Sequence, residues 1–416
     1  MNFSSLITNH KSQITSPFST AVIVLAALCF ASAAMAQSPF VGPRSAGMAG
    51  AAAAVSDDGS ALWTNPAGFA RDPRLDAEIL AGGVATNRNE FTSIVDGLSS
   101  IDFARLRAGV DLSRIPQAVA DLKTLARPGT GVVASGAAGA VFGKGGWALG
   151  VGDLAFAGVY PTIDLVHVLP GNDAATGFVN NTSAASFAGL EAREARLSYA
   201  TSFFAKALLV GATARYIQGR TYFVREGLFE VADSDPAALA RKALRENGTD
   251  TSKLAFDAGA MVNILGKVRV GLVSTAINEP EFNVAHDPTR PSLIGAPVTL
   301  RLPRTLRAGL AVEPVGLLTV AADYDLRATD TLVPGGKSRQ FSVGAELKLP
   351  FFAIRAGTFR DSEAPDAHWA YSAGFGLGLK KLSVNAAIVF SSEGGLSLSS
   401  TNRRDVGAAL DARLRF

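Results

Sequence analysis

The stretch Val406-Gly407-Ala408-Ala409-Leu410-Asp411-Ala412-Arg413-Leu414-Arg415-Phe416 decides how the rest of the chain is read. In an extended strand successive side chains point to opposite faces. Val406, Ala408, Leu410, Ala412, Leu414 and Phe416 therefore share one face, and Gly407, Ala409, Asp411, Arg413 and Arg415 share the other. The first face is wholly apolar and the second is small or charged. A soluble sandwich strand alternates too, but a face carrying Asp411, Arg413 and Arg415 suits a wetted interior, with the apolar face turned to lipid.

The pattern recurs upstream. Leu254, Phe256, Ala258, Ala260, Val262 and Ile264 alternate with Ala255, Asp257, Gly259, Met261 and Asn263. Leu318, Val320, Ala322 and Tyr324 alternate with Thr319, Ala321, Asp323 and Asp325, and Phe341, Val343, Ala345 and Leu347 with Ser342, Gly344, Glu346 and Lys348. Segments of this kind lie near 74–87, 131–143, 146–158, 193–204, 207–222, 252–264, 267–277, 298–313, 317–328, 339–349, 351–360, 368–379, 381–391 and 404–416. They number about fourteen, and single-chain bacterial barrels have an even count. Every second connection is tight, as at Lys144-Gly145, Ala205-Lys206, Gly266-Lys267 and Lys380-Lys381, while 88–130, 159–192, 225–251 and 278–297 are long. Short turns on one side and long loops on the other are the asymmetry of outer-membrane barrels. The expected fold class is all-β: a transmembrane antiparallel β-barrel of about fourteen strands over 73–416.

Composition agrees. Of 416 residues, 48% are hydrophobic and 18% charged, with 42 glycines, and the mean hydropathy is +0.23. After residue 40 no apolar run is long enough for a membrane helix, so the apolar excess is spread over many short strands. A formal charge of +3 is too small to argue for nucleic acid as a partner.

Residues 1–36 read as an export signal: Lys11 in a polar leader, an apolar stretch from Ala21 to Ala34, and Ala34-Met35-Ala36 as a small-residue cleavage site before Gln37. Cys29, the only cysteine, falls inside it, and bulky Leu28 before it argues against a lipoprotein. Beyond residue 36 there is no thiol for a disulfide or a metal, and no metal site or cofactor is expected. Two long loops carry helical spacing: Ser113 as a cap with Ile115, Val119, Leu122 and Leu125, and Asp235-Pro236 followed by Ala237, Leu239, Ala240, Ala243 and Leu244. They read as packing on the barrel rim or as a lid.

Between the signal and the first strand stand Arg44-Ser45-Ala46-Gly47-Met48-Ala49-Gly50, the pair Asp57-Asp58, and Asn65-Pro66-Ala67-Gly68. This order resembles the N-terminal region of the FadL-like superfamily of outer-membrane proteins, which includes fatty-acid transporters, aromatic-hydrocarbon channels, PorV-type secretion barrels and conjugation-associated TraF-type barrels. Weaker echoes, such as Asn278-Glu279-Pro280 and Leu302-Pro303-Arg304, suit the last two branches somewhat better. The resemblance implies a fourteen-stranded barrel with residues 37–72 folded inward as a plug, built on Arg44, Gly47, Met48, Gly50, Asp57, Asp58, Asn65, Pro66, Ala67 and Gly68. Asp57 and Asp58 are expensive in such an interior unless paired. Arginines on the inward face, Arg196, Arg215, Arg269, Arg307, Arg355 and Arg413, are candidate partners, and a turn or helix cap is the alternative. Asp257, Asp323, Glu346 and Asp411 share that lumen-lining face. Leu414 and Phe416 resemble the terminal signal that the outer-membrane assembly machinery reads.

Three functions follow for a protein of the bacterial outer membrane, with the lipid bilayer as its first partner. The leading expectation is a plugged channel for uptake of small hydrophobic molecules, with such a molecule or a lipid in its lumen. Phe223, Leu228, Phe229 and Leu293-Ile294 would capture it from outside. The alternative is an accessory barrel acting through protein partners of a transfer or secretion system. An enzyme is not expected, because His167, His286 and His368 show neither nucleophile-elbow nor HExxH spacing. Gly374-Phe375-Gly376-Leu377-Gly378 lies inside an alternating strand, where its glycines make room in the lumen rather than form a dinucleotide loop.

Overall fold

A backbone crossing lipid must find every hydrogen bond inside the protein, and a sheet does so without open edges only by closing on itself. In the computed structural model, which describes residues 40–72, 76–101, 112–167, 181–228, 248–285, 295–392 and 403–416, the chain takes that solution. Strands β1 (Asp76–Arg88), β2 (Gly131–Lys144), β3 (Trp147–Thr162), β4 (Ala184–Phe203), β5 (Leu208–Gly227), β6 (Thr249–Ile264) and β7 (Val268–Thr275) form the first half of the wall. A small hairpin, β8 (Glu281–Asn283) with β9 (Thr299–Arg301), leads to β10 (Thr305–Val315) and β11 (Leu318–Asp325). A second, β12 (Thr329–Asp330) with β13 (Lys337–Ser338), leads to β14 (Gln340–Lys348), β15 (Phe352–Asp361), β16 (Trp369–Gly378), β17 (Leu382–Ser392) and β18 (Arg403–Arg415). Leaving the two hairpins aside, fourteen strands pair antiparallel in chain order, and β1 pairs with β18, Ala81 opposite Leu410, to close the barrel.

The alternating faces fall as lipid requires. Ile79 and Leu410 point outward, 62% and 60% exposed, while their neighbours Glu78, Leu80 and Ala409 are buried inside. Aromatic side chains collect at both levels of the belt. Trp147 and Tyr199 meet at 4.6 Å between ring centroids beside a short turn. Tyr324, Phe341 and Trp369 form a chain of edge contacts at 6.5 and 6.2 Å where the long loops leave. Such girdles mark the two membrane interfaces of outer-membrane barrels. A two-residue turn, Gly145-Gly146, has φ of 62° and 89° between paired Lys144 and Trp147. Two positive φ values are what a type I′ two-residue hairpin needs, and glycine reaches them without strain.

One side of the wall is taller. The upper halves of β2 to β5 rise beyond the belt, and their outward residues Val132, Ala134, Ala157, Phe187, Tyr222 and Val224 are buried under protein. The cover is helix α2 (Phe91–Ser99) and helix α3 (Ile115–Leu125), through Phe91, Val95, Leu98, Leu122 and Leu125. Helix α3 thus packs on the rim of the barrel. Its boundary residue is Arg114, with Pro116 in the first turn and no side-chain cap, while Ser113 lies in a preceding 3-10 turn. The helical spacing after Asp235 and the export signal of 1–36 fall outside the described residues. The segment expected as one strand over 298–313 is divided, since Leu302-Pro303-Arg304 breaks the ladder between β9 and β10.

On the inside, the two small hairpins fold into the mouth. Phe282 of β8 is fully buried against Leu190, at Gly219, and Val333 between β12 and β13 joins the same core. Replacing outward Leu410 with arginine is expected to destabilise the barrel by about 2–4 kcal/mol, the cost of a charge near the bilayer midplane. Val166→Arg, on an exposed loop, is the control with little effect. Denaturant titration of protein folded into liposomes measures both.

Candidate functional site

Residues 40–72 lie inside the barrel, and nearly every side chain between Phe40 and Gly68 is buried. Three short turns shape the segment. Helix α1 (Pro43–Gly47) starts with proline at its first position after Gly42 at φ 85°. A 3-10 turn at Gly59–Leu62 is capped by Asp58, whose side chain accepts from Ser60 N. A second at Pro66–Ala70 is capped by Asn65, which accepts from Ala67 N at 3.1 Å. Asn65 is 0% exposed and also donates to Ala53 O at 2.7 Å and to Ala260 O of β6 at 3.3 Å. Its own turn, the segment and the wall therefore meet at one amide.

The wall receives this segment at glycines. A Cβ on Gly271 would stand 2.1 Å from Ala53 O, and one on Gly344 2.4 Å from Met48 O, so backbone packs directly on backbone. Met48 is fully buried with Ala51, Ala54, Ala311 and Ala321. Gly47 lies against Gly374 and accepts a bond from Ser372 Oγ at 3.0 Å. Gly50, at φ 89°, follows Ala49 in the left-handed region, and Gly68 leaves room for Ser56 O. Ala67 packs on Leu209 and Met261.

Charge binds the same pieces. Arg44 bonds Glu346 through Nη2 at 2.8 Å, Val55 O at 3.1 Å, and the carboxylate of Asp57. Arg71 closes on Asp57 from the other side at 3.0 Å. The two aspartates thus find their cations within the N-terminal segment itself: Arg44 lies 3.7 Å from Asp58 as well, and of the lumen arginines only Arg413 bonds this pair, donating to Asp57 O at 3.0 Å. Burial alone pushes the Asp57 carboxyl up, but Arg44, Arg71, Lys348 and Arg413 outweigh it and hold the group well below the usual carboxylate range. Glu346 continues to Arg355 at 2.9 Å, Arg355 to Asn385 at 3.0 Å, and Asn385 to Asp411 at 2.7 Å. Arg413 pairs with Asp76, and Arg269 donates to Ala54 O at 3.0 Å while pairing with Glu313. Glu78 accepts from Gly59 N at 2.8 Å. Asp323 Oδ2 accepts from Ala52 N and Ala53 N at 2.9 and 2.8 Å.

Above the segment a second network spans the β4–β6 wall. Arg196 pairs with Glu194 at 2.5 Å, Arg215 bonds Glu194 and reaches Asp257 at 3.2 Å, and Arg196 donates to Leu62 O at 2.9 Å. Arg307 pairs with Asp325 at 2.6 Å. Between these groups, the segment and the Leu302-Pro303 entry to β10 is a cavity of about 110 Å³. Val41, Trp63, Leu154, Phe156, Val273 and Leu302 give it apolar walls, and Arg196, Arg215, Asp257, Arg307 and Asp323 border it. Sequence reasoning missed Trp63 and Glu194. Glu194 alternates in phase with Arg196, which is the signal that finds it, whereas nothing in the periodicity singles out Trp63.

Other candidates are differently placed. Phe223 and Leu228 are buried, each 1% exposed, so neither forms an outer capture surface. Phe229, Leu293-Ile294 and His286 lie outside the described residues. His167 pairs with Asp164 in a loop at 2.6 Å. His368 Nε2 meets Asp405 at 2.6 Å and Ser391 at 3.2 Å, while its Nδ1 faces Asp366 O. One nitrogen serving both the acid and the hydroxyl is not a proton-relay order, which needs them on opposite nitrogens. Among the described residues no group of three or more His, Asp and Glu side chains is arranged for a metal ion. Leu414 and Phe416 point outward at the short-turn end, with Lys381 Nζ 5.3 Å from the Phe416 ring. Outward Arg193, Glu191 and Asp153 break the apolar rule; they pair with one another below the helices that cover the tall wall.

No protein-family model matches the chain, and no curated protein matches its sequence. Among solved structures it is similar to the CymD monoaromatic hydrocarbon channel, with a TM-score of 0.51, 14% identity, and coverage of 91% of this chain and 98% of that one. It is also similar to the Ralstonia pickettii toluene transporter TbuX, at a TM-score of 0.52 and 15% identity, covering 90% of this chain and 98% of the other. At these identities what is shared is the fold.

Replacing Asn65 with alanine orphans buried groups on the segment and on β6, a loss of about 1–3 kcal/mol for each unmade bond. The expected result is a raised baseline conductance in planar bilayers with the barrel still folded. The sign with pH follows from Asp57. A depressed carboxylate stabilises above its unfolded value of about 3.9 and loses that contribution as pH falls through its lower folded value. Conductance controlled by Asp57 is therefore flat from about pH 8 to 5 and rises only in stronger acid, a rise that Asp57→Asn removes.

Proposed function

We propose that this chain is a FadL-like outer-membrane channel for uptake of small hydrophobic molecules, with residues 40–72 as its hatch. The supporting observation is the lumen cavity. It is apolar over most of its wall, lies on the long-loop side of the inward-folded segment, and stands in a barrel with the fold of two hydrocarbon channels.

Physical reasoning supplies the steps. A hydrophobic solute gains about 25 cal/mol for each Å² of apolar surface taken out of water, so a greasy cavity concentrates it from dilute solution. The ion pairs of the lumen are already satisfied by each other and need not be broken to admit it. What stands between the cavity and the short-turn end is the segment from Ala52 to Ala67, bonded to the wall through Asp323, Asn65, Arg196 and Arg269. Passage requires some of these contacts to yield. Their side-chain and backbone hydrogen bonds are individually modest, which suits a hatch that shifts locally while the barrel stays closed.

An accessory role in secretion or conjugation has no comparable observation behind it, since the structural neighbours are channels. The same neighbours support transport over catalysis. Leu414 and Phe416, at the end of the closing strand, are read as the segment presented to the assembly machinery.

Deleting the protein is expected to lower the initial uptake rate of a radiolabelled monoaromatic hydrocarbon severalfold, with uptake of a small hydrophilic solute unchanged. Leu302→Trp, which fills the cavity, should reproduce the loss in a strain where the folded barrel is detected at normal abundance. Equal hydrocarbon uptake with and without the protein would remove the proposal.

A further inference from the structure

The outer end of the closing seam carries a side-chain cluster that the channel reading does not use. Thr86 and Asp405 form the outermost pair between β1 and β18. On the other edge of β18 the register with β17 shifts at the same level, between Phe390 and Ser392. Backbone pairing is thin here, and side chains take over. Asp405, 2% exposed, accepts from Thr86 Oγ1 at 2.7 Å and from Ser391 Oγ at 2.6 Å, with His368 Nε2 at 2.6 Å. One carboxylate thus joins β1, β17, β18 and the residue that leads into β16.

The surroundings of the imidazole require it to be charged. A neutral ring offers one donor nitrogen and one acceptor. Here Nε2 faces the Asp405 carboxylate and Nδ1 faces Asp366 O at 3.0 Å, and both of these partners only accept. Ser391 Oγ, 3.2 Å from Nε2, already donates to Asp405. Two donors make an imidazolium. The other charged groups around it are engaged elsewhere. Arg404 faces the carboxylates of Glu90 and Asp366 at 3.6 and 3.7 Å and lies 3.4 Å from Asp366 O. Arg88 pairs with Asp361 at 2.7 Å, beside a cavity of about 60 Å³ that His368 and Asp405 also line. Burial pushes the imidazole pKa down, but the bond and charge of Asp405 outweigh it and hold the group above the ordinary histidine value.

We infer that His368 is a pH-sensitive clamp: as an imidazolium it fastens the outer end of the β1–β18 seam, and losing its proton in alkaline medium lets that end loosen. The inference is independent of the channel reading. Deprotonation takes away the donor that faces Asp405 and leaves a buried carboxylate without its paired cation, which is costly. The adjoining cavity gives water a place to enter beside it. A histidine of raised folded pKa stabilises fully below its unfolded value of about 6.5 and loses that contribution as pH rises through the folded value. The clamp is therefore fastened in mildly acidic medium and released on the alkaline side, opposite in sign to Asp57.

The test uses the full barrel in lipid nanodiscs. NMR of nitrogen-labelled histidine is expected to find His368 mainly doubly protonated at about pH 7. Hydrogen exchange, referred to the intrinsic rate at each pH, should show amides around Thr86 and Val406 losing protection severalfold between about pH 6 and pH 9, while those around Leu410 keep theirs. His368→Gln, which keeps a donor but has no proton to lose, is expected to abolish that pH dependence. A neutral His368 ring at about pH 7, protection at the seam end that does not change with pH, or an equal change in His368→Gln would each overturn the inference. Should the variant fail to fold, the first two measurements on the unaltered protein still decide.

Discussion

Lipid offers no hydrogen bonds, and the structure depends on that fact throughout. Because the bilayer cannot satisfy a peptide group, strands must pair on both edges, and the ladder from β1 to β18 leaves no edge over. Because the bilayer also excludes charge, the outward positions are mostly apolar, the mutually paired Arg193, Glu191 and Asp153 being the exception, and other ionised side chains are pushed to the interior. Arg44, Glu346, Arg355, Arg196, Glu194 and Arg215 are inside for the same reason that Leu410 and Ile79 are outside.

An interior crowded with charge has to be neutralised locally, and this is what gives residues 40–72 their shape. Carboxylates of the wall serve as caps for a segment too short of regular structure to satisfy its own backbone. Asp323 takes two amides and Glu78 a third. Cations of the wall do the reverse for carbonyls, Arg269 for Ala54 and Arg196 for Leu62. Small residues then let the segment approach close enough for those bonds to form. The cavity remains between the segment's own Trp63 and the wall's Leu154 and Phe156, large apolar side chains that line it.

The barrel was legible in the sequence because lipid enforces a period of two, and all fourteen wall strands coincide with alternating segments. Legibility failed where something other than lipid covers the wall. The stretch 184–190 shows no polar-against-apolar alternation, with Ala185 and Phe187 on one face and Ala184, Ala188 and Leu190 on the other, so β4 looked as though it began near Arg193; α2 and α3 bury its outer face there, and alternation has no reason to persist. Helix α2 was missed because Phe91–Ser99 holds threonine, two serines and a glycine, a weak helical signal that only its packing on Val132 and Ala134 makes up for. In the lumen, periodicity tells which residues face inward but not which ones meet. Arg44 and Arg71 reach Asp57 through the folding of the segment on itself, and the cavity emerges only when Trp63, Arg215 and Asp323 are brought together from distant parts of the chain.

The pairing of β1 with β18 also fixes an order of events in biogenesis. Those strands come from opposite ends of the wall, so the cylinder stays an open sheet with two raw edges until the last strand has been made and delivered. Residues 40–72 touch strands of both halves, through Asn65 on β6 and Ser372 on β16. They settle into a trough that is still unrolled, or else must be threaded in afterwards through a mouth obstructed by Phe282 and Val333. On the first route, pairing β1 with β18 seals the cylinder around contents already in place.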